Sequence, residues 1–204
     1  MGRTVVLKVV AARPSKKIIA RAAKILRSGG LVAFPTETVY GLGANLLNKK
    51  GIARLYRVKR RPRGKPFTVH IENTLVIKTL GCKITKAAKT LADKYWPGPL
   101  TIILNCKNGK KIGFRMPDNK VALKLIKEAG VPVAAPSANI SGEAPPTSAE
   151  DVLKQLAGSI DILLDAGPTE IGVESTVIDM TVTPPRILRE GAISENELLK
   201  VMYG

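Results

Sequence analysis

Four short stretches carry side chains able to grip a small charged substrate. The first is PTETVYG, residues 35–41, where Thr36, Thr38 and Tyr40 flank one acid, Glu37, the only charged residue from Ser28 to Asn48. Uncharged donors beside glycines suit a small polar ligand approached closely by backbone. The same residues also suit a purely structural turn. The second stretch is KRRPRGKP, from Lys59 to Pro66. Pro62 and Pro66 restrict the chain, so Lys59, Arg61 and Lys65 project from fixed positions. A guanidinium fork matches phosphate oxygens, and a lysine adds a compact point charge. Read instead as a helix end, the same charges complement the helix dipole.

The third stretch, PSANISG at 136–142, delivers Ser137, Asn139 and Ser141 where an apolar run stops. Small hydroxyl and amide groups at a strand's end line crevices beyond a sheet edge, and they also serve as plain polar connections. The fourth is GVESTVID, with Glu174, Ser175 and Thr176, followed by Arg189 in RILREG. His70 in PFTVHI reads equally as a ligand contact or as a core histidine.

Several chemistries are excluded. GLGANL lacks the third glycine of a dinucleotide fingerprint, and Pro66 stands where a P-loop needs Ser or Thr. There is no G-x-S-x-G elbow, and a single histidine leaves no room for a hydrolytic triad. One histidine with Cys82 and Cys106 makes no Cys/His zinc site, and the two cysteines read as buried thiols of a reducing compartment.

The formal net charge is +17, and it is lopsided. Residues 1–92 hold 21 Lys and Arg against two acids, a net of +19, whereas residues 93–204 carry a net of −2. Nine basic residues and no acid fall between Lys49 and Lys65. Such a field concentrates polyanions, nucleotides or RNA, although a basic run also serves solubility.

These residues need elements to position them. At 204 residues and 45% hydrophobic, the chain can bury a full core without staples. Strand and helix patterns alternate throughout. Strands are expected at 4–10, 31–34, 66–71, 99–104, 112–116 and 131–135, and later in DILLDAG, STVIDM and RILR. Helices are expected from Pro14 to Gly29, after Asn48, after Thr85, after Asp118 or Asn119, after Ser148 and after Ser194. Strands 99–104 and 112–116 lie too close for a helical crossover, with a turn at Asn108–Gly109. The expected fold is therefore mixed α/β (α+β), a twisted mixed β-sheet with surrounding helices. No stretch of 18 apolar residues occurs, so a soluble, cytoplasmic protein without membrane contact is expected.

Taken in order, FPTETVYGLGAN, Lys59 to Pro66, VHI at 69–71, WPGPLT at 96–101, RMP at 115–117, PSANISG and ESTVID at 174–179 resemble one family. It is the threonylcarbamoyl-AMP synthases, built on the YrdC-like domain, and the likeness spans about residues 30–193. The resemblance implies a nucleotidyltransferase making L-threonylcarbamoyl-adenylate and pyrophosphate from L-threonine, bicarbonate and ATP. It further implies Mg²⁺ arriving with ATP, no protein-ligated metal, and a downstream tRNA threonylcarbamoyl-transferase machinery.

By position, the resemblance gives L-threonine to Thr38, His70, Arg115, the Ala135 backbone and Ser175. It gives ATP to Lys59, Arg61, Lys65, Ser137, Asn139, the Pro145 backbone and Arg189, with Lys59 and Arg61 catalytic; Lys111 matches less well. Glu190 stands where the family has proline, and the chain ends at Gly204 without the second domain of longer members, as a short form with one domain over 1–204. Any lid then comes from PSANISGEAPP. The alternative expectation is a non-catalytic RNA-binding protein using its basic half, and a weak RNA contact is expected even of the enzyme. A third reading is a carbamoyl-transferring maturation domain of the same fold. The 4% aromatic content is low for stacking on unpaired bases.

Overall fold

The structure is a computed structural model that describes residues 3–203, apart from the side chain of Asn108; Gly204 lies outside the described residues. In chain order the strands are β1 (Val5–Lys8), β2 (Val32–Phe34), β3 (Gly41–Asn45), β4 (Val69–His70), β5 (Leu100–Asn105), β6 (Lys111–Arg115), β7 (Val133–Ala134), β8 (Ile162–Asp165), β9 (Thr176–Asp179) and β10 (Arg186–Arg189). The helices are α1 (Lys16–Arg27), α2 (Lys49–Val58), α3 (Leu75–Thr79), α4 (Lys86–Tyr95), α5 (Lys120–Ala129), α6 (Ala149–Leu156) and α7 (Glu195–Tyr203). The strands form one sheet in the order β1-β8-β2-β3-β7-β4-β6-β5-β9-β10. Parallel pairs such as β1/β8 and β5/β9 alternate with antiparallel ones such as β2/β3 and β5/β6, so the sheet is mixed as expected.

Local chemistry sets the helix starts. Asn48 accepts from the Gly51 N–H, Thr85 from Ala88, and Asn119 from both Val121 and Ala122. Ser148 and Asp151 complete a reciprocal capping box at α6. Ser194 accepts from the Glu197 N–H, while Glu190 accepts from the Glu195 N–H at 3.3 Å. Glu190 thus helps to begin α7.

Three clusters fill the interior. Ile19, Leu26, Leu125 and Ile126 of α1 and α5 pack on Val32, Phe34, Val133, Ile162 and Leu164. On the opposite face Leu55, Val152 and Leu156 of α2 and α6 pack on Ala33, Leu42, Ala44 and Leu163. Successive residues of β2 and β8 therefore serve opposite faces, as strand geometry requires. The third cluster sets Leu91, Ala92 and Leu198 of α4 and α7 on Val69, Leu100, Ile102, Leu104, Phe114 and Ile178.

Three expectations need correction. The turn expected over 35–41 ends earlier, because residues 41–45, for which no strand is expected, form the buried strand β3. A Cβ on Gly43 would lie 2.9 Å from the Phe34 ring and 3.2 Å from Val133, so this glycine serves packing and not ligand approach. The strand expected over 66–71 shrinks to Val69–His70, because the preceding segment curls around Arg61. Cys82 and Cys106, expected as thiols, are joined in a disulfide across an isolated antiparallel bridge. Backbone bonds Lys83 N–H to Asn105 O (3.0 Å) and Lys107 N–H to Gly81 O (2.9 Å) bring these segments side by side, which spacing alone does not reveal. The cysteine count thus carries no argument about compartment. Among the described residues no helix is long and apolar enough to cross a membrane.

Candidate active site

The half of the sheet made by β4, β6, β5 and β9 has helices on one face only. Val69, Ile71, Leu100, Ile102, Phe114 and Ile178 turn toward α4 and α7. By the period of two, His70, Thr101, Ile103, Gly113, Arg115, Val177 and Asp179 turn the other way, and these residues floor a cleft of about 750 Å³. The walls come from the β2–β3 connection, the loop after α2, the turn after β7, and Glu174, Ser175 and Arg189 beside β9 and β10.

At one end Arg115 leaves β6 with only 4% exposure. Its Nε donates to Gly98 O at 3.3 Å, and its Nη2 donates to Thr38 Oγ1 at 2.7 Å. A Cβ on Gly98 would meet Tyr95 O at 2.5 Å, so only glycine fits where the Gly98 carbonyl turns to Arg115. Glu37 Oε2 lies 2.9 Å from Arg115 Nη2 as an ion pair, and among the described residues neither carboxylate oxygen has a well-aligned hydrogen bond. Burial holds the Arg115 guanidinium below its ordinary pKa, and Glu37 opposes that shift.

The hydroxyls here have a direction. Thr36 donates to Val39 O at 2.7 Å, which leaves Thr38 to donate across the 2.9 Å contact to Thr36 while accepting from Arg115. Thr38 therefore keeps an acceptor lone pair and no spare proton. His70 lies edge-on to Phe34 at 6.2 Å, and its Nδ1 is buried without a partner among the described residues. Burial, then the Arg115 charge, keeps its pKa well below the usual value, so the imidazole is neutral.

On the β9 side Ser175 Oγ lies 3.0 Å from Thr101 Oγ1 and accepts from Arg189 Nη2 at 3.3 Å. Arg189 Nε donates to Ser175 O at 3.0 Å, and its Nη1 pairs with Glu174 at 2.8 Å. Gly191 is compelled: a Cβ there would fall 2.2 Å from Glu174 O. Arg189 thus keeps its place despite Glu190.

In the basic loop, Arg61 donates from Nε to Lys65 O and from Nη2 to Pro66 O, both at 3.1 Å, and sits 5.3 Å over the Phe67 ring. Burial lowers its pKa, with Arg189 adding to the effect. The cleft brings together Arg61, Lys65, His70, Arg115, Ala135, Ser137, Ser175 and Arg189, and Thr38 joins them through Arg115. The Ala135 N–H is committed to Thr68 O at 2.9 Å. Lys111 lies at the far end, 3.5 Å from Asp179.

Three residues stand apart: Lys59, Asn139 and Pro145 are not among the residues that line the cleft. Lys59 is 2% exposed and reaches into the 137–139 turn. Pro145 is exposed, while Gly142 to Ala144 form the outer tip of a loop anchored at Ser137, Asn139, Ile140 and Pro146. The segment expected to supply a lid is therefore tied down over most of its length. Glu37 and Glu174 stand in the stretches that the sequence singles out yet receive no role there, and Thr101 is not singled out as a candidate. The signal for Glu37 was its isolation: a lone acid in an apolar stretch must be buried beside a cation.

With this geometry established, comparisons identify relatives. The family model for Sua5, YciO and YrdC, described as telomere recombination, matches residues 24–191. A threonylcarbamoyl-AMP synthase of Bacillus subtilis is 45% identical over 194 residues, 90% of this chain and 56% of that protein. A threonylcarbamoyl-AMP synthase of Pyrococcus abyssi is 45% identical over 190 residues, 89% of this chain and 56% of that protein. The chain thus spans about half the length of these relatives. The crystal structure of P. abyssi Sua5 complexed with L-threonine superposes with a TM-score of 0.94 at 42% identity, over 98% of this chain and 61% of that one. The chain belongs to the Sua5/YciO/YrdC family.

Proposed function

We propose that this chain makes L-threonylcarbamoyl-adenylate and pyrophosphate from L-threonine, bicarbonate and ATP. The observation that carries the reading is that one cleft joins a buried Arg–hydroxyl cluster, Arg115 with Thr38, to a cationic rim of Arg61, Lys65 and Arg189. The names of the relatives and the threonine complex of P. abyssi Sua5 support it.

In this reading the threonine carboxylate meets Arg115, while Ser175 and the neutral His70 offer uncharged partners to its amine and hydroxyl. The amine adds to carbon dioxide and gives up a proton to solvent, or adds to bicarbonate and releases water. A carbamate oxygen then attacks the α-phosphorus of ATP in line, breaking its bond to the bridging oxygen that leaves with pyrophosphate. Such transfer depends on positioning and on neutralising charge. Arg61, Lys65 and Arg189 accept the charge of the departing pyrophosphate, and the half-enclosed cleft protects the labile carbamate from water. No side chain is assigned as general base.

Mg²⁺ enters as part of the ATP substrate. Glu174 and Asp179, the cleft's carboxylates, already face Arg189 and Lys111, which suits an ion carried by phosphate oxygens and waters. The product then passes to a transferase acting on tRNA adenosine. A purely RNA-binding role would leave the buried Glu37–Arg115–Thr38 network without a use. The test is pyrophosphate release, expected only when L-threonine, bicarbonate and ATP are all present; release independent of threonine would refute the reading.

A further inference from the structure

Lys59 Nζ lies at the point where three oxygens converge. It donates to Ser137 O at 2.5 Å, to Asn139 O at 2.6 Å and to Asn139 Oδ1 at 3.3 Å, which uses all three ammonium protons. The Lys59 carbonyl in turn accepts from the Ser141 N–H at 2.8 Å. Its backbone and side chain therefore hold the same turn from one side.

From the other side, the Ala138 N–H donates to Tyr40 O at 2.7 Å. The peptide between Ser137 and Ala138 is thus fixed at both ends, its carbonyl by Lys59 and its N–H by the β2–β3 connection. The next peptides are held too: the Ile140 N–H donates to Gln155 Oε1 at 2.9 Å, and Asn139 Nδ2 donates to Glu143 O at 2.7 Å. Without a donor between them, the carbonyls of Ser137 and Asn139 would face one another across a buried gap and repel.

We propose that Lys59 is a positioning residue that shapes the Ser137–Ser141 turn and so fixes Ser137 at the cleft wall, and that it does not itself contact the nucleotide. This deepens the reading above, which supplies the nucleotide. Its consequence is that the N–H donors of Lys59 matter more than its charge, whereas the neighbouring Arg61 acts through its charge.

The test is amide hydrogen exchange of the protein without ATP or threonine, comparing wild type with Lys59→Met, Lys59→Gln and Arg61→Ala. Expected are exchange at Ala138, Ile140 and Ser141 at least tenfold faster in Lys59→Met, partial return toward wild type in Lys59→Gln, and no change at these amides in Arg61→Ala. ATP affinity by calorimetry should follow the same order for the two Lys59 variants, while threonine affinity stays at the wild-type value. Wild-type exchange in both Lys59 variants overturns the proposal, as does a Lys59→Gln protein no better than Lys59→Met in either readout. Should Lys59→Met not fold, Lys59→Gln against wild type decides alone. Because the exchange measurement uses no substrate, its outcome is independent of whether pyrophosphate release fails.

Discussion

The two halves of the sheet are built from the same elements and do different work. In the half containing β8, β2, β3 and β7, helices cover both faces, and every residue of β2 and β3 is buried. Its strands β2 and β8 read as the apolar runs VAF and ILL. In the half containing β4, β6, β5 and β9, α4 and α7 cover one face, and the other face carries His70, Thr101, Gly113, Arg115 and Asp179 beside Ile103 and Val177. The uncovered face is the cleft floor. Covering both faces yields a rigid frame, and leaving one face open yields a site whose side chains are fixed by that frame. Polar groups on the open face are nonetheless deeply buried, as Arg115 and Thr101 show.

That contrast can be broken or sharpened by substitution. The largest effect is expected on the open half, where Arg115→Met strands the Glu37 carboxylate in the interior. A stability loss of about 3–5 kcal/mol is expected by denaturant unfolding, together with loss of threonine binding. Milder unfolding would mean that Glu37 finds another partner. In the covered half, Leu163→Ala removes a fully buried side chain between α2, α6 and the sheet. It should cost about 2–5 kcal/mol while leaving the threonine Kd unchanged by calorimetry. A changed Kd would show that the two halves are coupled.

Arg61→Ala, at the rim, should weaken ATP binding by about 1.5–3 kcal/mol, roughly 10- to 100-fold in Kd, with stability nearly preserved. The last effect, one that depends on pH, is expected at the boundary between the halves. Burial, then the charge of Arg61, lowers Lys59 to about 8, and Glu174 opposes the shift. The folded value lies below the unfolded one, so the cost of burying the ammonium is fully present below pH 8. It is relieved as pH rises from about 8 toward the unfolded value of 10.5. Wild-type stability should therefore rise relative to Lys59→Met across that window, by at most about 1.4 kcal/mol per pH unit in denaturant titrations.

Much of this arrangement was legible beforehand, and the reasons are local. Asn48, Thr85, Asn119 and Ser148 announce helix starts because a cap satisfies N–H groups only a few residues away. The strand GLGAN is not legible beforehand because two glycines weaken any strand pattern, and the Phe34 ring against Gly43 supplies the reason for one of them. Lys59 likewise belongs by spacing with Arg61 and Lys65. Its direction was not legible, because the carbonyls that claim it come from residues 78 and 80 positions away.

The order of amino acids by itself determined where most helices and strands lie, which helix faces are apolar, and that a basic block follows a hydroxyl-lined turn. These follow from interactions within a few residues and from the periods of helix and strand. Only the tertiary structure decided which of the charged groups face the cleft. Glu37 meets Arg115 across 78 residues, Cys82 meets Cys106, and Lys59 turns inward, because such partners are chosen by what each buried polar group must satisfy once the chain has closed around it.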